Sequence, residues 1–147
     1  MKHRAKVALV SLVAMLAASE LASADTDCGV MLRLIEAARN GEALRPAPRG
    51  AEECGRSVNL AGQTAVHCAW AFALRAPEAR AFFDGVAGSV TTCFGTEIKP
   101  IRDLGVNHPD SYDLRQYRIE DVTLSISLKD KAALGKTYVF ARAERQQ

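Results

Sequence analysis

The sequence predicts an α+β fold: an antiparallel sheet of about three to five strands with two helices packed on one face, and two disulfides. Three observations carry that prediction. Apolar residues recur with a helical period over 26–40 and again over 77–94; they alternate with polar ones over 122–128; and four cysteines follow an N-terminal leader.

The leader reads "MKHRAKVALVSLVAMLAASELASADTD". Lys2, Arg4 and Lys6 precede an apolar run from Val7 to Ala18, and Ala22-Ser23-Ala24 offers small residues at a cleavage site. That is the pattern of a secretory signal peptide over 1–24, with a mature chain from Asp25. The apolar run of 12 residues is too short for a transmembrane helix, and no second hydrophobic span follows it. No membrane insertion is therefore expected after cleavage. The remaining 123 residues suit one domain with a single core, 25–147. The leader holds three of the 19 Lys and Arg residues and one of the 17 Asp and Glu residues, which leaves 16 of each. A neutral chain without a basic run has no electrostatic footprint for nucleic acid.

Cys28, Cys54, Cys68 and Cys93 all lie in the mature part. An even number in an exported chain predicts two disulfides. The absence of a Cys-x-x-Cys pair argues against thioredoxin-like redox chemistry, haem attachment and the common zinc spacings, and no cofactor is expected.

The first helix is expected over 26–40, with Val30, Met31, Leu34, Ile35 and Ala38 on one face and Asn40-Gly41 as its stop. The next stretch, 41–57, has two prolines and three glycines and no period, so a long surface loop pinned by Cys54 is expected. "SVNLAGQT" offers a short partner strand with a turn at Ala61-Gly62. Val66, Cys68, Trp70, Phe72 and Leu74 alternate with His67, Ala69, Ala71 and Ala73, which predicts a strand although alanine favours helix. Pro77 and Glu78 suit the start of a second helix, about 77–94, whose apolar face is Ala79, Phe82, Phe83, Val86, Val90 and Cys93.

Chain geometry bears on the cysteine pairing. In a strand, Cys68 lies roughly 23 Å before the corner at about 3.3 Å per residue. In the helix, Cys93 lies roughly 24 Å after it at about 1.5 Å per residue. Equal heights predict Cys68–Cys93, and Cys28–Cys54 follows by elimination. Each bridge closes about 26 residues, for roughly 3 to 4 kcal/mol apiece in the chain-entropy model.

Towards the C-terminus, Val122, Leu124, Ile126 and Leu128 alternate with Thr123, Ser125 and Ser127, a strand with one buried face. "KDKAALGK" reads as a loop and "TYVFAR" as the returning strand of a hairpin. Tyr117 and Ile119 alternate in the opposite phase to Val122 and Leu124, so a bulge or tight turn at Glu120-Asp121 must reset the register.

The densest group of candidate catalytic side chains is "GVNHPDSYDLRQY", residues 105–117. His108, Asp110 and Asp113 have the chemistry of a metal or acid-base site, whereas Pro109, Asp110 and Ser111 equally serve a turn. His67, the other mature histidine, falls on the strand face with Ala69, Ala71 and Ala73, a small-residue face for close packing or for a partner. Ser57, Ser89 and Ser111 lack the context of a nucleophile elbow. Leu134 sits at the tip of the lysine-rich hairpin. The favoured reading is a non-enzymatic, exported protein-binding or accessory module, chaperone-like or inhibitor-like, periplasmic or secreted. Its partner is expected to be another exported or envelope protein, met through Ala69, Ala71 and Ala73 or through Leu134. The alternatives are a small hydrolase or metal-dependent enzyme at His108, Asp110 and Asp113, and a small-ligand carrier using space near Trp70 and Phe72.

Overall fold

Alternation decides the sheet. In the computed structural model, which describes residues 21–58, 61–101 and 111–146, the order is α1 (Leu21–Asn40), β1 (Glu53–Val58), β2 (Thr64–Ala73), α2 (Pro77–Phe94), β3 (Ser111–Ile119), β4 (Val122–Lys131), one 3-10 turn (Ala132–Leu134) and β5 (Lys136–Arg145). The five strands form one antiparallel sheet in the order β1-β2-β5-β4-β3. Both helices lie on one face of it, so the predicted α+β architecture is what the chain adopts.

That face takes Val66, Cys68 and Trp70 from β2, Val139, Ala141 and Ala143 from β5, and Leu124, Ile126 and Leu128 from β4. Met31, Leu34, Ile35 and Ala38 of α1 and Ala79, Phe83, Ala87 and Val90 of α2 cover them, each set spaced to give one helix stripe. Gly41, with φ 69°, ends α1: its amide bonds Ala38 O while the Glu42 amide reaches back to Ala37 O, a Schellman closure. Pro77 occupies the first turn of α2, where its missing N–H costs nothing.

The phase change between β3 and β4 is the predicted tight turn. Ile119 pairs with Val122, Glu120 takes a positive φ of 52°, and Tyr117, Ile119, Val122 and Leu124 all reach the core. The hairpin between β4 and β5 is longer than the sequence suggests, with β4 running to Lys131 and only 132–135 left as connection. The reading of 41–57 as uninterrupted loop is corrected: β1 begins at Glu53. Its sequence, "ECGRSV", shows no apolar alternation because an edge strand half out of the core needs none.

The cysteine pairing is also corrected. The bonds are Cys28–Cys93 and Cys54–Cys68, not Cys68–Cys93 and Cys28–Cys54. Cys54 and Cys68 are direct partners in the β1–β2 ladder. Cys93, at the far end of α2, meets Cys28 on α1, with the two Cα atoms 5.4 Å apart. The strand and helix assignments behind the geometric expectation hold, but equal height along two elements leaves lateral position open. α2 packs mainly over β4 and β5. Strands lie about 4.8 Å apart, so a helix displaced sideways by one or two strands is out of reach of a cysteine on β2.

Candidate functional site

Among the described residues the other face of the sheet carries no helix, and its side chains fall in levels across the strands. One level reads Gly55, His67, Arg142, Ser125 and Gln116 from β1 to β3. The next reads Glu53, Ala69, Phe140, Ser127 and Leu114. Strand alternation alone puts these residues together, because each is the odd neighbour of a core residue. Ser57 and Lys129 come from the flanking levels, and with these residues other than Gly55, Glu53 and Ala69 they line a groove of about 340 Å3.

The floor of the groove is polar. Ser125 and Ser127 are only 9% and 6% exposed. Gln116 Nε2 donates to Ser125 Oγ at 3.3 Å, whereas the Ser127 hydroxyl forms no hydrogen bond among the described residues. Ala69, paired with Phe140 across β2 and β5, is fully buried. The Phe140 ring stacks on Tyr138 at 5.7 Å, and Lys129 Nζ stands 5.7 Å from its centroid. Arg142 pairs with Glu144.

His67 is seated by a glycine. A Cβ at Gly55 would lie 3.2 Å from Cε1 and 3.3 Å from Nε2 of the imidazole, tighter than a side chain ordinarily allows. Nε2 faces Glu53 Oε1 at 3.9 Å and makes no hydrogen bond to a serine among the described residues. A nucleophile and base within hydrogen-bond reach are thus not assembled here. The groove instead gathers Arg142, Lys129, an imidazole, hydroxyls, an amide and one aromatic ring, with no carboxylate among the described residues that line it. That is the equipment of a binding site for something polar or anionic.

The other candidates fall elsewhere. His108 and Asp110 lie outside the described residues. Asp113 faces α2 rather than the groove: Arg80 Nη1 donates to its Oδ2 at 3.0 Å, and its Oδ1 accepts the Leu114 amide at 2.8 Å. Oδ2 thereby fixes β3 to α2, while Oδ1 holds the side chain to its own strand. Among the described residues no group of three His, Cys, Asp or Glu side chains is placed to hold a metal. The space near Trp70 and Phe72 is filled by Phe82, whose ring centroid lies 5.3 and 5.5 Å from theirs, and Trp70 Nε1 donates to Arg49 O at 3.2 Å. Ala71 lies on the open face, Ala73 is exposed at the end of β2, and Leu134 is 64% exposed on the 3-10 turn, away from the groove.

Sequence reasoning found the alanine side of this face and His67 but missed Ser125, Ser127, Phe140 and Arg142. The signal was present: Ser125 and Ser127 are the wet positions of the clearest alternating strand. What the pattern lacks is the knowledge that β5 inserts between β2 and β4, which brings Arg142 and Phe140 beside them. No described helix is long and apolar enough to cross a membrane. Compared with known protein families, characterised proteins and solved structures, the chain shows no significant match, so its function must be read from this face.

Proposed function

We propose that the protein is an exported, disulfide-bonded binding module rather than an enzyme, and that the helix-free face of the sheet is its recognition surface. The single observation that carries this reading is the asymmetry of the sheet. One face is sealed by two helices and holds the core, while the other is concave, polar and cationic, with two buried serines at its floor. An antiparallel sheet with one wet face needs no groove for its stability, so a concavity with converging donors is the feature in want of a use. Two disulfides and the leader-like N-terminus support export, and a partner in the cell envelope or outside the cell accords with it.

The test is a comparison of baits in a cell-envelope extract. The disulfide-intact chain, its Arg142→Glu variant and its Leu134→Ser variant are used side by side, with retained proteins identified by mass spectrometry. The reading expects a stoichiometric partner kept by the Leu134→Ser bait and lost by Arg142→Glu. A partner lost only with Leu134→Ser moves recognition to the hairpin tip. N-terminal sequencing of the exported protein checks localisation and is expected to begin at Asp25.

A further inference from the structure

We propose that the free edge of β1 pairs with the β1 edge of a second copy of the chain, joining two five-stranded sheets side by side. This pairing is independent of what the helix-free face recognises. β1 is the first strand of the sheet, so one side of its backbone has no strand beside it. Cys54 and Cys68 pair with Cα atoms 4.1 Å apart, the close spacing of a non-hydrogen-bonded pair in an antiparallel ladder. Alternation then turns the N–H and C=O groups of Cys54, Arg56 and Val58 away from β2. Among the described residues, none of the three makes a backbone hydrogen bond outside the β1–β2 ladder. An edge in this state is a template for another strand, which monomers blunt with proline, lysine, a bulge or a covering segment. The opposite edge is blunted: β3 is bulged between Ser111 and Asp113, and Gln116 exchanges both its backbone bonds with Ile101, at 2.7 and 3.1 Å. β1, "ECGRSV", has neither proline nor lysine, its register with β2 is unbroken from Glu53 to Val58, and Val58 is 60% exposed.

Charge selects a second copy as the occupant. Paired antiparallel about a two-fold axis at Gly55, the outward groups of Cys54 in one copy exchange backbone bonds with those of Arg56 in the other, and the reverse. Arg56 then faces Cys54 and Glu53 faces Ser57, so no like charges stand opposite each other. An axis at Arg56 would set that guanidinium against its own copy. Beyond residue 24 the chain holds 16 basic and 16 acidic residues, and two copies approach without net repulsion. Residues opposite each other across the seam point to the same side of the sheet, so both helical layers share one side. The two helix-free faces then run on into each other past Ser57 of each copy. Six residues a side is small against the roughly 800 Å2 per partner of a stable interface, so a dissociation constant on the order of 100 μM is expected.

The experiment sediments the disulfide-intact chain from about 10 μM to about 1 mM, roughly tenfold either side of that constant, and follows its amide hydrogen exchange over the same range. A monomer–dimer equilibrium is expected, with the Cys54 and Arg56 amides exchanging more slowly as concentration rises. Arg56→Pro removes an N–H that points away from β2, where an edge strand tolerates proline. By symmetry it deletes two seam bonds, and it should weaken the dimer at least about tenfold. Arg56→Gln loses the same guanidinium and its bond to Gly41 O but keeps the N–H, and should dimerise as the wild type does. If Arg56→Pro fails to fold, the concentration dependence of the wild-type Cys54 and Arg56 amides decides. A chain still monomeric at about 1 mM overturns the proposal. So does a dimer that leaves those two amides unslowed, or one that a folded Arg56→Pro variant forms equally well.

Discussion

Cys54 stands directly opposite Cys68 across the β1–β2 ladder, with Cα atoms 4.1 Å apart, so this bridge ties an edge strand to its neighbour and not one layer to another. Cys28–Cys93 ties the two helices to each other within their layer, across a sequence separation of 65 against 14 for the other bond. In the chain-entropy model those separations give about 4 and about 3 kcal/mol. Replacing Cys28 and Cys93 by serine is expected to lower the urea-unfolding free energy more than replacing Cys54 and Cys68. Equal losses, or the reverse order, would show that native-state effects outweigh loop length. Peptide mapping without reductant checks the connectivity itself.

The same pair of bonds marks the boundary of what is legible in the residues. Periods along one element can be read: 3.6 gave the stripes of α1 and α2, and 2 gave β2 and β4. Relations between elements far apart in the chain cannot, because nothing local says that β5 enters between β2 and β4 or that α2 lies over β4. The groove shares this limit. Its serines belong to a readable strand, but Arg142 and His67 meet only through the strand order, and "ECGRSV" became a strand through pairing with β2 and not through its own preference.

Thr137 is expected to be worth more than its size suggests. Its side chain is 1% exposed, and its hydroxyl both accepts the Arg75 amide at 2.7 Å and donates to Asp130 Oδ1 at 2.7 Å. Arg75 holds a positive φ of 57° at the corner between β2 and α2, a conformation that a non-glycine residue adopts only when held. Thr137→Val keeps the volume and removes both bonds, and should cost about 1–3 kcal/mol in thermal or denaturant unfolding. A loss under a few tenths of a kcal/mol would show that the corner holds without the hydroxyl.

Asp130 should contribute to the acid limb of stability. Hydrogen bonds first from Arg75 Nε at 2.9 Å and then from Thr137 hold its carboxyl below the ordinary carboxylate range, with partial burial opposing them. A folded-state pKa below the unfolded value of about 3.9 means that the unfolded chain binds more protons in between. The stabilisation is complete above the unfolded value and is lost as pH falls through the folded one. Melting temperatures of the wild type and Asp130→Asn are therefore expected to differ at neutral pH and to converge as pH falls below the unfolded value. A constant difference across that window would remove Asp130 from the acid transition.

Tyr117 provides the corresponding alkaline test. Its ring is 2% exposed, and its hydroxyl donates to Ala87 O at 3.0 Å, joining β3 to the middle of α2 through the core. Tyr117→Phe leaves the packing and exposes the Ala87 carbonyl to a missing partner, so a loss of about 1 kcal/mol is expected near neutral pH. Burial pushes the phenol above its ordinary value, and the nearby Arg115 charge opposes this only in part. The neutral phenol is thus favoured in the folded state, and its contribution is fully present below the unfolded pKa of about 10 and is lost as pH rises through the folded value. Denaturant unfolding of the two proteins between about pH 7 and pH 11 should show the advantage of the wild type shrinking above pH 10, where ionising the phenol requires breaking its bond to α2. If the advantage persists undiminished at the alkaline end, burial does not hold the phenol protonated in the folded state; if Tyr117→Phe costs nothing even near neutral pH, the hydroxyl is not the group that ties β3 to α2, and the packing of Phe83 between Arg80 and Arg115, 5.3 and 4.9 Å from its ring centroid, must hold that layer instead.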